Sequence, residues 1–395
     1  MADASGAGVQ LVDPSGAVLA TSSATLVADS VIELGHGRGL AVTSSGAVVE
    51  LDGPGRRIAV VPGLSAPTAT LLNRDVIGGG VRFTVAQLGD QAWLVDLEAA
   101  TAASLSAVAG SGRKVQGWRF SPDEKWVATS GTFLALVPTD SPQNVVQLSS
   151  GFGCVAFHPD GRMMVSDSSG AIGSVWITSP EHLDKKDPLF AGASKCAVFF
   201  GDRMLAYGLG GLEELTGGGK STELLSVGGG MVVSLPVPGH PELVSVSGGV
   251  SPNDWYLLAG SAPPVKIAAA EGSTWLDSTG GVDAFEREQQ QGFELIVARD
   301  PTDATVTSWP DHRTGRRLLD AGGRSYLDDV ALHRTLTIAP DGQATPLAND
   351  QAGHLLSPER SALALASTTG CTIGGLDGAA TATIGPCTLL AWLPG

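Results

Sequence analysis

A recurring strand–turn–strand segment is the feature of this 395-residue sequence that most constrains its fold. In each copy an apolar stretch is followed by a polar turn, often Pro-Asp or Pro-Glu, and then by a second apolar stretch that ends in small residues. The copies are GWRFSPDEKWVATSG from Gly117, CVAFHPDGRMMVSDS from Cys154, CAVFFGDRMLAYGLG from Cys196, GGVSPNDWYLLAGS from Gly248 and LLSPERSALALAS from Leu355. Short apolar runs bounded by Gly, Pro, Ser and Asp are typical of β-strands.

The spacing of these copies defines a period. Alignment of Phe120, Phe157 and Phe199 gives steps of 37 and 42 residues. A period of about 40 residues, with strand pairs in each unit, is typical of β-propellers, whose four-stranded blades bury their faces only against neighbouring blades. We therefore predict an all-β chain that forms a single β-propeller of four-stranded antiparallel blades. The three phenylalanines are predicted to be buried equivalents in successive blades.

The number of blades follows from the same spacing. Seven units precede about residue 320, and the 75 residues that remain make at least one more. We predict eight blades in one domain over residues 1–395, with seven blades as the alternative. The strands between Val9 and Thr21 have no leading partner, so we predict that they complete the last blade and close the ring. The stretch VDAFEREQQQ from Val282 is short and is followed by Gly292, which favours a long loop or a single turn.

Several motifs resemble those of a known repeat family. Gly239-His240 and the LVSVSGGVSPNDWYLLAGS that follows resemble the opening of a WD repeat, and GAIGSVW, ending at Trp176, resembles its third strand. WPDHRTGRRLL, from Trp309, resembles the strand, turn and strand that close such a unit, and the SPD-type turns are similar to those of TolB-type propellers. The resemblance to a degenerate WD-repeat or TolB-like propeller implies a propeller fold. It also implies that the histidine of a Gly-His pair, as at 353–354, hydrogen-bonds within its blade.

The charge of the chain excludes some partners. The net charge is −16, from 24 basic and 40 acidic residues. An acidic surface repels nucleic-acid phosphates and anionic membranes, so we expect no nucleic-acid partner. No apolar run approaches the roughly 20 residues that span a bilayer, so we expect no membrane insertion. The sequence has no Lys or Arg before Arg38 and no continuous apolar stretch there, unlike a secretory signal, so with Met1 as the native start we expect a cytoplasmic protein.

Motifs that carry chemistry are missing from the sequence. It contains no HExxH, GxSxG or EF-hand pattern and no GxGxxG after a strand. GGGKST, from Gly217, imitates a P-loop, but Glu214 occupies the place of the first P-loop glycine, which predicts a glycine-rich hairpin turn. We predict no catalytic residue, no metal ligand and no cofactor.

The four cysteines have no CxxC spacing, which excludes a zinc ribbon. Cys154 and Cys196 have the same register in adjacent units and could face each other near the channel mouth. We favour packing as small apolar residues there over a metal or redox pair. Cys371 and Cys387 flank a predicted hairpin, and a disulfide between them would require an oxidising compartment.

One cluster of cations stands out from the acidic background. Arg313, Arg316, Arg317 and Arg324 lie within twelve residues, with Asp320 as the opposing charge among them. Arginine binds carboxylates through paired hydrogen bonds, so we predict that this cluster binds an acidic segment of a partner protein. The alternative is a solvated hairpin whose cations are offset by Asp328 and Asp329.

Two classes of function remain open. The first, which we favour, is a non-catalytic protein–protein interaction scaffold, a WD-repeat-like subunit of a larger assembly. The second is a propeller-type enzyme, a lactonase, lyase or hydrolase, with a metal or carboxylate site at the central channel; a periplasmic TolB-like accessory is a third reading. An apolar patch on one face would favour the scaffold, and carboxylates or histidines converging on the channel would favour the enzyme.

Overall fold

The structure is a computed structural model. It describes residues 2–3, 8–27, 31–35, 37–65, 78–79, 82–88, 91–109, 115–149, 151–169, 172–193, 195–228, 230–235, 242–248, 251–260, 262–279, 282–289, 292–309, 314–319, 324–329, 333–339, 343–349, 351–357, 359–367, 369–385, 387–388 and 392. Apart from a 3-10 turn at Ala268–Ala270, the regular elements of this part of the chain are β-strands.

The strands are numbered in chain order. The first twenty are β1 Ala2–Asp3, β2 Val9–Val12, β3 Val18–Ser22, β4 Ile32–Gly35, β5 Arg38–Val42, β6 Ala47–Asp52, β7 Arg57–Ser65, β8 Gly78–Gly79, β9 Phe83–Leu88, β10 Gln91–Asp96, β11 Thr101–Ser104, β12 Val115–Phe120, β13 Trp126–Gly131, β14 Leu134–Pro138, β15 Val146–Ser149, β16 Phe152–Phe157, β17 Met163–Ser169, β18 Ile172–Thr178, β19 Asp187–Ala193 and β20 Lys195–Phe200. The others are β21 Arg203–Gly208, β22 Gly211–Gly217, β23 Lys220–Ser226, β24 Val232–Ser234, β25 Leu243–Gly248, β26 Ser251–Leu257, β27 Val265–Lys266, β28 Thr274–Thr279, β29 Val282–Glu288, β30 Phe293–Ala298, β31 Ala304–Trp309, β32 Thr314–Leu319, β33 Ser325–Asp329, β34 Arg334–Ile338, β35 Ala344–Asn349, β36 Gln351–Leu356, β37 Ala362–Ser367, β38 Cys371–Gly375, β39 Ala380–Ile384 and β40 Cys387–Thr388.

The strands of the described chain form ten four-stranded antiparallel units, which we call blades. Blade 1 consists of β40, β1, β2 and β3, and blades 2 to 10 each take the next four strands in order, from β4–β7 to β36–β39. Blades 4 and 5 share one continuous sheet because a single bridge joins Gly131 to Gly153. In blade 1, Ala2 pairs with Thr388 and Asp3 with Cys387, so N-terminal strands and the C-terminal strand belong to one sheet. The predicted closure by N-terminal strands is confirmed.

A hydrophobic cluster fills every junction between successive blades of the described chain. Between blades 3 and 4, for example, Val85 and Leu94 pack with Trp118 and Val127, and between blades 8 and 9 a second cluster packs Leu295 against Leu327 and Leu336. The other junctions contain equivalent clusters. Blade 10 packs on blade 1 in the same way, so the row of sheets closes into a ring. The chain is an all-β propeller, as predicted.

The predicted number of eight blades is not confirmed. Blades 2 to 8 correspond to the seven units that the spacing places before about residue 320, but the segment after them forms two further blades. The N-terminal strands do not complete either of these; with β40 they make a blade of their own. The count of eight therefore missed one blade in the last part of the chain and the one that spans both termini.

Two local predictions are corrected. The stretch from Val282 is strand β29 instead of a loop or turn, because Val282, Ala284 and Phe285 face the core while Arg287 pairs with Glu294 of the next strand. The segment from Trp309 is not a hairpin within one unit. Trp309 ends β31 in blade 8, and β32 begins blade 9.

The predicted hairpin at Gly217 is confirmed. Gly217, Gly218 and Gly219 all have positive φ angles, 83°, 61° and 75°, and connect β22 to β23 by a tight turn. Such backbone angles favour glycine, so a turn explains the glycine run without a phosphate.

Candidate docking surface

The two ends of the ring carry different sets of turns because each blade has four antiparallel strands. Four antiparallel strands return the chain to the end at which it entered, so equivalent turns of all blades lie at the same end. One end carries the turns between first and second strands and between third and fourth strands. The opposite end carries the turns between second and third strands and the connections between blades.

The turns between second and third strands contain almost no charge. In chain order they read ASGAG (4–8), TSSG (43–46), GD (89–90), TF (132–133), GA (170–171), LG (209–210), GV (249–250), QQQG (289–292), VALH (330–333) and TTG (368–370). Asp90 is the one Asp, Glu, Lys or Arg in these sequences. The turns at the opposite end include SPDEK (121–125), HPDGR (158–162) and SPEHLDKK (179–186). We call the second of these the charged end, and we name the first the uncharged end after its turns between second and third strands; the connections between some blades at that end do carry charges, such as Arg113 and Lys114.

The uncharged end is most uniform over blades 4 to 7. The connections between these blades, at 150–151, at 194 and at 227–231, also contain no Asp, Glu, Lys or Arg. Three large apolar side chains are exposed here, Phe152 by 40%, Leu209 by 47% and Val232 by 41%. Exposed apolar side chains among turns and connections that lack charge are typical of a contact site for another protein, and Lys195, the first residue of β20, is a charged residue beside them.

Backbone contacts hold Leu209 and Val232 next to each other. Leu209 lies in the turn between β21 and β22, and it forms an isolated antiparallel bridge with Val232, the first residue of β24. The Gly210 N–H donates to the Met231 carbonyl oxygen at 3.3 Å. The bridge joins blade 6 to blade 7, so both side chains project from a fixed backbone.

Phe152 is exposed because it lies at the end of β16, while later residues of the same strand pack into the core. Val155 and Phe157 of β16 pack into the core between blades 4 and 5, whereas Phe152 begins the strand at the uncharged end. A side chain at Gly153 would collide with the Ser166 carbonyl oxygen and with Leu134. This close approach of blades 4 and 5 fixes the backbone that presents Phe152.

A disulfide lies just beneath this surface. Cys154 of β16 and Cys196 of β20 are joined, with their Cα atoms 5.3 Å apart. Their shared register was predicted from the sequence, but packing as two free small residues was favoured, and that preference is wrong. A second disulfide joins Cys371 of β38 to Cys387 of β40, with a Cα–Cα distance of 5.8 Å.

The charged end has a pocket of about 680 Å³ between blades 3 and 4. Its charges are engaged with one another. Glu124 Oε2 accepts the backbone N–H groups of Arg82 and Phe83 at 2.9 and 3.1 Å, which ties blade 4 to blade 3. Arg82 also pairs with Asp96 at 2.7 Å. Burial alone would raise the pKa of Asp96, but hydrogen bonds from Arg82 and from backbone N–H groups lower it. These contacts explain the pocket as a junction between blades.

Another turn at the charged end connects blades 5 and 6. Hydrogen bonds lower the pKa of Asp160 to about 2. The largest contribution comes from the Arg162 backbone N–H, and smaller ones come from the side chains of His158 and Arg162. His158 Nδ1 lies 2.8 Å from Asp160, and His158 Nε2 lies 3.4 Å from Asp202 of blade 6. His158 stands in a turn, as predicted, and the charged end again joins neighbouring blades through polar contacts.

The predicted arginine cluster falls on blade 9. Arg313 lies outside the described residues, and Arg316 and Arg317 lie on β32, the first strand of that blade, where their side chains are not described. Arg324 is half-buried in the turn before β33. Partner binding by these four residues therefore stays a prediction.

The histidine of one Gly-His pair has a different partner from the one that the resemblance implies. His354 of β36 is fully buried, and its Nδ1 lies 2.7 Å from Asp328 Oδ1 of β33. The contact crosses from blade 10 to blade 9 instead of staying within one blade. A carboxylate only accepts, so Nδ1 carries the proton, and Nε2 has no hydrogen-bond partner among the described residues. His36 and His240 lie outside the described residues.

The described residues contain no group of three or more His, Cys, Asp or Glu side chains placed to hold a metal ion together. No helix in the described part of the chain has the length and apolarity needed to cross a bilayer.

Comparisons with known proteins give structural likeness alone. No family model matches the chain, and no curated protein matches it. The solved structures that resemble it include the tricorn protease (13% identity, 92% of this chain, 45% of that chain, TM-score 0.29) and dipeptidyl peptidase 4 of Porphyromonas gingivalis (12%, 93%, 61%, TM-score 0.45). A third is the β-propeller domain of the Trilobed protease from Pyrococcus furiosus (12%, 71%, 98%, TM-score 0.39).

The chain spans less than two thirds of the first two of these structures. At these identities and TM-scores the likeness carries no statement about activity. The strand topology itself shows a β-propeller of four-stranded antiparallel blades.

Proposed function

We propose that this propeller is a non-catalytic interaction scaffold that docks a partner protein on the uncharged end of blades 4 to 7. The observation that carries the proposal is the exposure of Phe152, Leu209 and Val232 on a surface whose turns and connections contain no charged residue. The cores of protein interfaces are depleted in charge and enriched in aromatic and other large apolar side chains. The partner surface is therefore apolar and uncharged at its centre.

The energetics of this surface favour docking. Binding here would desolvate three apolar side chains, and the turns and connections around them contain no Asp, Glu, Lys or Arg whose removal from water would offset the hydrophobic gain. The bridge between Leu209 and Val232 and the disulfide beneath Phe152 fix the backbone in advance. Little ordering entropy would be lost on association.

The disulfides indicate the compartment in which the protein works. The chain has two, Cys154–Cys196 and Cys371–Cys387, and stable disulfides occur mainly in proteins of an oxidising environment. We propose an oxidising compartment in place of the cytoplasm that the sequence suggested. The test is the thiol content of the protein isolated from its own cells in the presence of an alkylating agent. This proposal requires that all four cysteines are in disulfides and that none is alkylated.

A second contact is retained from the sequence. Arg313, Arg316, Arg317 and Arg324 are proposed to bind an acidic segment of the partner, since arginine pairs with carboxylates and the four residues lie close together in the sequence around β32. The alternative function, an enzyme with a metal or carboxylate site at the channel, would require turnover that a chelator or a carboxylate substitution abolishes.

The test of docking is affinity purification from the producing cells with two matched double variants. Leu209→Asp/Val232→Asp places charges on the uncharged end, and Val60→Asp/Val265→Asp places the same charges on the outermost strands β7 and β27, where both valines are exposed. We expect the first variant to lose the partner that wild type and the second variant retain. Equal retention by both variants, each with an unchanged melting temperature, would contradict docking at this end.

A further inference from the structure

The disulfide between Cys154 and Cys196 connects blades that are already held together by other contacts. Ser166 Oγ donates to the Cys154 carbonyl oxygen at 3.1 Å and accepts the Cys154 N–H at 3.2 Å, so β16 is anchored to β17. A core cluster that includes Met164, Ala197 and Ala206 packs blade 5 on blade 6. Cleavage of the disulfide would therefore leave both blades in place.

The two disulfides differ in access. Cys154 and Cys196 are both partly exposed, on the first strands of their blades and close to the uncharged end. Cys371 is 0% exposed and Cys387 8% exposed, and the two pack with Ala366 in a closed cluster. Thiol–disulfide exchange requires a thiolate to reach a sulfur atom, so access separates the two pairs.

We propose that Cys154–Cys196 is a thiol–disulfide exchange site of the folded propeller, reduced by a dithiol while Cys371–Cys387 stays oxidised. A thiolate of the dithiol attacks one sulfur, forms a mixed disulfide and releases the other cysteine as a thiolate, which takes up a proton. The second thiol of the dithiol then attacks the mixed disulfide. The dithiol leaves as its cyclic or internal disulfide, and the propeller keeps two thiols, so two electrons and two protons have moved from reductant to protein.

The consequence is local. Phe152 precedes Cys154 by two residues on the same strand, and Tyr207, which pairs with Cys196 across β20 and β21, precedes Leu209 by two residues. Reduction would remove the covalent link beneath these side chains while the strand pairing and the cores of blades 5 and 6 persist. The exchange site does not depend on the docking proposal, because it follows from the partial exposure of Cys154 and Cys196 and the burial of Cys371 and Cys387.

The experiment uses the full-length protein without denaturant. Dithiothreitol is added for increasing times, free thiols are blocked with iodoacetamide, and the modified cysteines are quantified by peptide mass spectrometry, while circular dichroism follows the fold. We expect Cys154 and Cys196 to be alkylated at least about tenfold faster than Cys371 and Cys387, with the far-ultraviolet spectrum unchanged. Equal rates, the reverse order, resistance of all four cysteines or unfolding on reduction would each overturn the proposal.

Two single variants measure how accessible each cysteine thiol is when no disulfide has to be reduced. In Cys154→Ser the thiol of Cys196 is free, and it should be alkylated without reductant in the folded protein. In Cys371→Ser the thiol of Cys387 is free but enclosed, and it should resist. Protection of Cys196 in the first variant would overturn the proposal even if the wild-type disulfide were slowly reduced.

Discussion

Two junctions between blades can be compared, the one between blades 5 and 6 and the one between blades 10 and 1. They contain the same kinds of contact but differ in the solvent exposure of their cysteines. Both pack an apolar cluster between two sheets, and both contain one disulfide. At blades 10 and 1 the cysteines are sealed, and chain termini meet in one sheet. At blades 5 and 6 the cysteines are partly exposed beneath an apolar, uncharged surface. One junction closes the ring, and the other is left accessible.

Deletion of residues 1–22 should have the largest effect on this comparison. It removes three of the four strands of blade 1, leaves the edge of β40 unpaired and exposes the apolar faces of blades 2 and 10, so we expect aggregation and a melting temperature lower by roughly 10 °C or more. Calorimetry and light scattering measure both. A circular permutant in which residue 395 is linked to residue 1 and new termini lie between Gly218 and Gly219 is the control, and it should remain monodisperse. An unchanged, monodisperse deletion variant would show that blade 1 does not close the ring.

Removal of the two disulfides by paired Cys→Ala substitutions should cost similar free energies of unfolding but have different consequences. The separation of 42 residues between Cys154 and Cys196 and of 16 between Cys371 and Cys387 corresponds to about 4 and about 3 kcal/mol of chain entropy. The second pair also vacates buried volume at the closure. We expect aggregation on warming for Cys371→Ala/Cys387→Ala and not for Cys154→Ala/Cys196→Ala. The opposite pattern would reverse the roles assigned to the two junctions.

Phe157→Ala measures how much the core of blade 5 contributes apart from its disulfide. Phe120, Phe157 and Phe199 occupy equivalent positions, as predicted, but their rings are half-buried instead of buried. We therefore expect a loss of about 2 kcal/mol in urea unfolding, roughly half of the 3–5 kcal/mol typical of a fully buried phenylalanine. Phe285→Ala, at a fully buried ring of blade 8, is the matched control and should show the full loss. Equal losses would mean that blade 5 is packed as tightly as the rest.

Charge reversal on blade 9 should have the smallest effect. Arg316→Glu/Arg317→Glu is expected to weaken binding of an acidic partner segment by about threefold to tenfold at low ionic strength, and less at high salt, because exposed ion pairs are screened. Titration calorimetry at two salt concentrations measures this. Arg56→Glu/Arg162→Glu changes the net charge equally at the charged end and should leave binding unaffected. A loss that is independent of salt would remove the arginine cluster from the contact.

The sequence predicts what depends on local patterns and misses what depends on how blades meet. The spacing from Phe120 to Phe199 reports a repeat because each copy contains a whole strand–turn–strand segment. Blade 9 was not counted separately because DAGGR, the segment between β32 and β33, lacks the Pro-Asp or Pro-Glu pair of SPDEK, HPDGR and SPERS. Strand β29 was missed because its charged residues alternate with only a few apolar ones.

The candidate site was visible in the sequence only in part. The shared register of Cys154 and Cys196 was apparent from the sequence. Whether the two cysteines can be joined depends on the distance between adjacent blades, and the sequence pattern within one blade does not give that distance. Segments such as GLGG at Leu209 and SGFG at Phe152 read as separate small-residue turns. They become one surface only when strand boundaries place them at the same end of the ring.

The most direct test of docking at the uncharged end is photo-crosslinking from single positions in the producing cells. A benzophenone side chain is placed at Phe152 or Leu209 of the uncharged end, and at Lys125 or Asp202 of the charged end, in otherwise unchanged protein. The account predicts one discrete adduct, of the same partner protein, from both positions of the uncharged end and none from the charged end. Adducts that form only from Lys125 or Asp202 would contradict it.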